Sequence, residues 1–253
     1  MPKTHRWEDL LPEEFYEEFN RKPIAYWACG AMEEHGLHNA LGTDPYTGYE
    51  IGLRAVRISG GILFPVVPFA PAYFPGLSRD ELRARTRELF PPSLWTSREL
   101  CLRVYTELME AMADLGFKVC MAIGGHAPAE GLLRELERKL GGRIGPMRFW
   151  GGGTLRAMRE EITEYVKSDP KSGGHGMMWE TSLVMAVRKE WVDVERAARI
   201  KSNPLPSQLK PNSPEAIAHI VKANPELGNR LIDAAAERVA KLADEMLQQE
   251  RKA

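Results

Sequence analysis

The sequence predicts an α/β fold built on a parallel sheet. Short apolar runs have the length and composition of buried strands, each is bounded by glycine or proline, and they span residues 24–29, 62–67, 118–123 and 146–150. Amphipathic segments separate these runs, which is the alternation typical of parallel α/β proteins. The 253 residues are 43% hydrophobic and 27% charged, enough for a sizeable core. We expect one domain that covers residues 1–253.

Capping residues and glycines indicate where the helices between the strands begin and end. The strongest helix begins at Thr96, which forms a capping-box pattern with the glutamate three residues later, and it ends at Gly116. Another helix starts at Asp44 and Pro45, with Asp44 as its side-chain cap, and runs to about residue 58. The remaining predicted helices span residues 13–20, 129–140, 155–167, 180–189 and 228–249.

Charge and cysteine content exclude several classes of function. Thirty-four Lys and Arg against 35 Asp and Glu give a net charge of −1, so no global field attracts nucleic acid or an acidic membrane. The most apolar stretch, residues 60–76, carries four prolines and would not form a membrane-spanning helix. Three widely spaced cysteines indicate a reducing cytoplasm. We expect a cytoplasmic protein whose partner is a small molecule or another protein.

Histidines and carboxylates occur in three short polar clusters, and the first follows the strand at residues 24–29. It spans residues 30–44 and contains Glu33, His35 and Asp44. Open α/β folds bind ligands at the carboxyl ends of their strands. We therefore expect these three side chains around that edge of the sheet.

The other two clusters carry the same residue types. His126 follows the strand at residues 118–123, and His175 lies in a glycine-rich turn shortly before Glu180. Carboxylate oxygens and neutral imidazole nitrogens are the usual ligands of Zn, Mn or Fe(II), and the lack of nearby thiols argues against a closed structural zinc site. A hydrolytic metal centre fits these residue types.

Charge balance leads to a hypothesis about the number of ions. If Glu33, Asp44 and Glu180 converge, their three charges repel unless cations neutralise them. Two divalent ions and one bridging hydroxide bring the sum to zero. We hypothesise two divalent ions per subunit, with Asp44 as the bridge, Glu33, His35 and His126 as further ligands, and Glu180 as either a ligand or a base.

These clusters resemble the creatininase family, also called creatinine amidohydrolases. The family pattern G-x-x-E-Q-H-G-x-H, followed by an Asp, corresponds to residues 30–44. Its N-G-H and H-[AG]-G-x-x-E-T-S patterns correspond to residues 124–126 and 175–182, in the same order. The resemblance covers most of residues 7–195.

The resemblance implies an α/β/α sandwich with a mostly parallel sheet, a binuclear metal site and commonly a homohexamer. It also implies hydrolysis of a C–N bond in a cyclic or linear amide or amidine. Glu33, His35, Asp44 and His126 resemble the metal ligands of the family, and His175 resembles its acid/base group. On this interpretation a metal-bridging hydroxide attacks the substrate and His175 protonates the departing nitrogen.

Three further side chains are candidate substrate contacts. Trp150 resembles a tryptophan that creatininase places near its substrate. His38 is either a substrate contact or a structural hydrogen-bonding residue. Trp179 lines a pocket or belongs to the core or a subunit interface.

Departures from the family pattern leave alternatives open. Pro128 stands where creatininase has a glutamate ligand, which makes Glu180 the obvious substitute, and Gly124 replaces the Asn of N-G-H. Lys171 takes the place of a second substrate-contacting tryptophan. These changes disfavour creatinine itself as the substrate. A metal-dependent lyase or isomerase acting on a small polar substrate, and a catalytically inactive assembly subunit of creatininase-like fold, remain as alternatives.

Overall fold

A five-stranded sheet forms the centre of the protein in the computed structural model, which describes residues 3–72, 78, 80, 81, 84, 93–169, 174–199 and 214–252. The strands are β1 (Ile24–Cys29), β2 (Ile62–Leu63), β3 (Val119–Gly124), β4 (Arg143–Ile144) and β5 (Met147–Gly153). They lie in the order β2-β1-β3-β5-β4. The pairs β1–β2, β1–β3 and β3–β5 are parallel, whereas the short β4 runs antiparallel to β5.

Helices cover both faces of this sheet. They are α1 (Pro12–Arg21), α2 (Thr43–Ser59), α3 (Arg98–Leu115), α4 (Ala127–Lys139), α5 (Thr154–Ala157), α6 (Arg159–Ser168), α7 (Met178–Val187), α8 (Pro214–Ile220) and α9 (Pro225–Glu250). Within the described residues, none of the helices combines the length and apolar character needed to cross a membrane.

Side chains of β1 alternate between two separate hydrophobic layers. Ile24 and Tyr26 pack with residues of α2 and α9, whereas Ala25 and Trp27 pack with residues of α3 and α4. All six residues of β1 are buried, as expected for a parallel strand covered by helices on both faces. The predicted α/β/α sandwich with a mostly parallel sheet is confirmed.

Several predicted element boundaries were wrong, among them those of β2, of α3 and of the helix after β5. The strand expected at residues 62–67 ends at Leu63, because Pro65 lacks an N–H for the ladder. The cap of α3 is Ser97, whose hydroxyl accepts the N–H of Leu100, and not Thr96. The helix expected at residues 155–167 is interrupted at Met158, which separates α5 from α6.

The cysteines provide a chemical test of this packing. Cys29, Cys101 and Cys120 are free and buried, and burial raises the pKa of Cys29 and of Cys120 to about 12. At pH 8 their thiolate fraction is then about 10³-fold lower than that of an exposed thiol. We expect iodoacetamide to modify no cysteine of the folded protein within the time that modifies all three in guanidinium chloride, as followed by mass spectrometry. Rapid modification of Cys29 or Cys120 in the folded protein would contradict their burial in the sheet.

Candidate metal centre

The carboxyl ends of β1, β3 and β5 meet at one edge of the sheet. Cys29, Gly124 and Gly153 end these strands and are aligned across the sheet, Cys29 with Gly124 and Gly124 with Gly153. The loop after β1 and the first residues of α4 and α5 therefore start from this edge. Ligands bind in this position in open α/β folds.

Glycines allow α2 to begin directly against the strand ends. A Cβ atom at Gly125 would lie 1.8 Å from the carbonyl oxygen of Asp44, and one at Gly30 would lie 2.6 Å from the nitrogen of Pro45. The N–H of Gly125 also donates to the carbonyl of Cys29 at 2.7 Å. This close approach brings the first turn of α2 to the edge of the sheet.

Asp44 is not the helix cap that the sequence predicted. The helix begins at Thr43, the residue before it is Gly42, and no side chain caps this end. The Asp44 carboxylate faces two imidazoles instead, with Oδ1 2.9 Å from Nε2 of His35 and Oδ2 2.8 Å from Nδ1 of His126. The cap prediction was wrong because these imidazoles, and not backbone N–H groups, are its partners.

Glu33, Asp44 and His126 form a first buried group, in which one potential ligand atom from each residue lies within 4.8 Å of the others. Nδ1 of His126 lies 3.1 Å from Oε2 of Glu33, while Nε2 lies 3.1 Å from the carbonyl oxygen of Pro71. A carbonyl can only accept, so Nε2 carries the proton and Nδ1 of the neutral ring presents a lone pair. This is the orientation of a histidine prepared to bind a metal.

His35, His175 and Glu180 form a second group with the same spacing. Nε2 of His35 lies 3.6 Å from Oε1 of Glu180, and Nδ1 of His35 donates to the carbonyl of Glu33 at 3.1 Å. Oε2 of Glu180 accepts the N–H of Gly176 at 2.5 Å. These backbone contacts orient Nε2 of His35 and Oε1 of Glu180 toward each other.

The charged side chains of the two groups shift one another's pKa values. Burial raises the pKa of Glu33 to about 7. Burial also opposes ionisation of Asp44, but the imidazoles of His35 and His126 outweigh it and hold the Asp44 pKa well below its usual range. In return, Asp44 with Glu180 raises the pKa of His35, and Asp44 with Glu33 raises that of His126, against the effect of burial in both cases. Protons on these histidines therefore balance the carboxylates when no cation does.

The donor set fits divalent metal ions. Within the part of the chain that the structure describes, neither buried oxygen of Glu33 receives a hydrogen bond. One oxygen of Asp44 faces His35 of the second group and the other faces His126 of the first, so this carboxylate can bridge two positions. Metal ions bind neutral imidazole and ionised carboxylate, so they would take the place of the protons that now balance the site.

A cavity of about 190 Å³ opens onto both groups. All predicted ligands line it, together with the candidate acid/base residue and one candidate substrate contact: Glu33, His35, Asp44, His126, Glu180, His175 and Trp179. The structure therefore brings together residues that the sequence places in three distant clusters.

Two candidate substrate contacts do not line this cavity. His38 is 2% exposed, and its Nε2 lies 2.8 Å from the carbonyl oxygen of Gly176 and 3.2 Å from the hydroxyl of Thr181. These contacts favour the structural alternative for His38. Trp150 is 5% exposed and packs in the core with the α2 and α9 side chains, under the guanidinium of Arg156, so its position does not support a substrate contact.

Sequence reasoning missed part of the cavity wall. Thr154 and Leu155, the first residues of α5, line the cavity beside Ala127 and Pro128 of α4. The available signal was the glycine run at residues 151–153, which continues β5 beyond the predicted end at Trp150.

Comparisons with known proteins agree with this arrangement. The family model described as "Creatininase: Creatinine amidohydrolase" matches residues 8–243 of the chain. A search of curated proteins found no match.

Several solved structures share the fold. A candidate creatinine amidohydrolase from Bacteroides fragilis NCTC 9343 is 20% identical, with 98% of each chain covered and a TM-score of 0.69. A manganese form of creatininase is 16% identical, with 96% of this chain and 98% of the other covered and a TM-score of 0.69. A mutant creatininase of Zn-Zn type is 17% identical, with the same coverage and a TM-score of 0.65.

Proposed function

The chain belongs to the creatininase family, and from this premise we propose that it is a metal-dependent hydrolase that cleaves a C–N bond in a cyclic or linear amide or amidine of a small molecule. The observation that carries the proposal is the position of Asp44, whose two carboxylate oxygens face one histidine from each ligand group. A carboxylate in this position is suited to hold two divalent ions side by side.

Glu33, Asp44 and His126 would hold one ion, and His35, Asp44 and Glu180 would hold the other. The solved relatives named for manganese and for zinc support these metals, and the donor set also accepts Fe(II). Such a pair would supply Lewis acidity and would activate water as a nucleophile at neutral pH.

The protein itself contributes rigid placement of these ligands. The carbonyl of Pro71 holds Nε2 of His126, and the carbonyl of Glu33 holds Nδ1 of His35. Each contact fixes the tautomer that leaves the opposite ring nitrogen free to bind a metal. The N–H of Gly176 holds one oxygen of Glu180 and leaves the other facing His35. Ligands held in this way need little reorganisation when charge develops on a substrate oxygen.

The remaining cavity wall favours a compact substrate. Pro128, Leu155 and Trp179 give it apolar surface, while Thr154 adds a hydroxyl-bearing side chain at the start of α5. A volume of about 190 Å³ suits a small ring or short amide better than a peptide. Creatinine itself stays disfavoured by the departures at Gly124 and Pro128.

The proposal extends to the assembly and the location of the protein. The family resemblance supports a homohexamer, which light scattering on the purified chain would test. The buried free thiols support a reducing, cytoplasmic location.

A substrate panel tests the proposed activity. The full chain, loaded with zinc or with manganese, should release amine or ammonia from at least one small amide, lactam or amidine. Chelation should abolish the release, and added metal should restore it. Full metal occupancy without turnover on any of these compounds would favour an inactive assembly subunit, and conversion of a substrate without amine or ammonia release would favour a lyase or isomerase.

A further inference from the structure

We propose that Nδ1 of His175 binds the second metal ion, together with His35, Glu180 and the bridging Asp44. This inference rests on the proposed function, because it concerns the same centre. It assigns His175 to metal binding in place of the acid/base role that the family resemblance implies. It adds a second imidazole to the position where Glu180 takes the place of the carboxylate that is missing at Pro128.

The hydrogen bond on the far side of the ring determines which nitrogen is available. Nε2 of His175 lies 2.5 Å from the carbonyl oxygen of Glu34, which can only accept. The neutral ring therefore carries its proton on Nε2 and presents a lone pair on Nδ1. His35 and His126 are held in the same manner, each with one ring nitrogen on a backbone carbonyl and the other facing the carboxylates. Metal-binding histidines are typically oriented by such a partner.

The position of the ring agrees with a shared ion. The centroids of the His175 and His35 rings are 4.1 Å apart, and one potential ligand atom from each of them and from Glu180 lies within 4.8 Å of the others. Ligand atoms at zinc lie about 3–4 Å apart, given metal–ligand bonds of about 2.0–2.1 Å. Small shifts of these side chains would bring the three ligand atoms to the spacing found around a zinc ion.

Close backbone packing and side-chain hydrogen bonds hold the His175 segment against the loop after β1. Gly176 has a positive φ of 66°, and a Cβ atom there would lie 2.8 Å from the carbonyl oxygen of His35. Nε2 of His38 lies 2.8 Å from the carbonyl oxygen of Gly176, and the Asn39 amide donates to the hydroxyl of Thr181 at 3.0 Å. The ring is thus placed beside His35 by the fold.

Binding through His175 makes the two metal positions chemically different. The first has one imidazole, from His126, and the carboxylates of Glu33 and Asp44. The second has the two imidazoles of His35 and His175 besides carboxylates. Nitrogen-rich positions favour zinc over manganese, whereas oxygen-rich positions suit manganese. We expect zinc to fill the second position preferentially when both metals are supplied.

Metal stoichiometry tests the inference without any substrate. The full chain is stripped with a chelator, titrated with zinc, and analysed for bound metal and for the affinity of the second equivalent. We expect two ions in the unmodified protein and one in His175→Ala, with the second equivalent bound at least about 100-fold more weakly. His175→Asn, whose Oδ1 lies near the place of Nδ1, should lose less affinity than His175→Gln, whose amide lies near the place of Nε2.

The matched control removes an imidazole outside the cavity. His5 has Nδ1 on the carbonyl of Gly61 at 2.9 Å, and His5→Gln should retain both ions. Two ions bound with unchanged affinity in His175→Ala, together with lost turnover, would overturn the inference and leave the proposed hydrolase intact with His175 as its proton donor. No metal binding by the unmodified protein would overturn both.

A measurement on the unmodified protein covers the case in which His175→Ala does not fold. In nitrogen-15 NMR spectra of the zinc-loaded chain, His175 should keep its proton on Nε2 while the Nδ1 resonance shifts on metal addition. A proton on Nδ1 of His175 in the loaded protein would contradict the assignment.

Discussion

Replacing Asp44 by Asn should abolish retention of both metal ions and lower kcat/KM by a factor of about 10³ or more. The side chain is 3% exposed, and its oxygens lie 2.9 Å from His35 and 2.8 Å from His126. An amide has one oxygen in place of two and presents an N–H₂ group to one of the two positions, so it cannot bridge two cations. Metal analysis after gel filtration and steady-state kinetics measure the two effects.

A surface aspartate supplies the matched control for this change. Asp233 of α9 is 58% exposed and pairs with Arg54 of α2 at 2.8 Å. Asp233→Asn has the same chemistry and should leave metal content and kcat/KM within about a factor of two, because exposed ion pairs contribute little. Two ions retained by Asp44→Asn would show that Asp44 does not bridge the centre.

Gly125→Ala should cause the largest loss of stability among single methyl additions near the site. The added Cβ would lie 1.8 Å from the carbonyl oxygen of Asp44 and 2.7 Å from its carbonyl carbon, both of which are backbone atoms. The first turn of α2 would have to move away from the end of β3. We expect the free energy of unfolding to fall by about 3 kcal/mol or more, as measured by urea denaturation of the metal-free protein.

The control for this change is a glycine-to-alanine substitution at a position where the added Cβ meets no other atom. Gly131 lies within α4, and no atom lies within 4 Å of the Cβ that alanine would add. Gly131→Ala should raise the free energy of unfolding by up to about 1 kcal/mol, because alanine favours helix over glycine. Equal stability of Gly125→Ala and the unmodified protein would mean that β3 and α2 do not approach as described.

The central strands could be predicted because local signals agree with their environment. The runs predicted at residues 24–29 and 118–123 match β1 and β3 to within one residue, since fully buried parallel strands are continuously apolar. The predicted ligands converge because each follows one of these strands or begins a helix beside them. Polar residues directly after buried strands therefore indicate where a ligand site lies.

Other features depend on contacts that are distant in the chain. The carbonyl that fixes the His175 tautomer belongs to Glu34, 141 residues earlier, and the partners of His38 lie 138 and 143 residues later. Trp150 lies away from the end of its strand because β5 continues to Gly153, and its indole packs in the hydrophobic core. The hydrophobic periodicity of the sequence gives no information about hydrogen bonds between residues so far apart in the chain.

Anomalous diffraction from crystals of the zinc-loaded protein is the most direct test of a dinuclear centre. We expect such a centre to give two peaks about 3.5–4 Å apart at the carboxyl edge of the sheet, with one oxygen of Asp44 bound to each. A single peak, or peaks away from Glu33, His126 and His35, would contradict it.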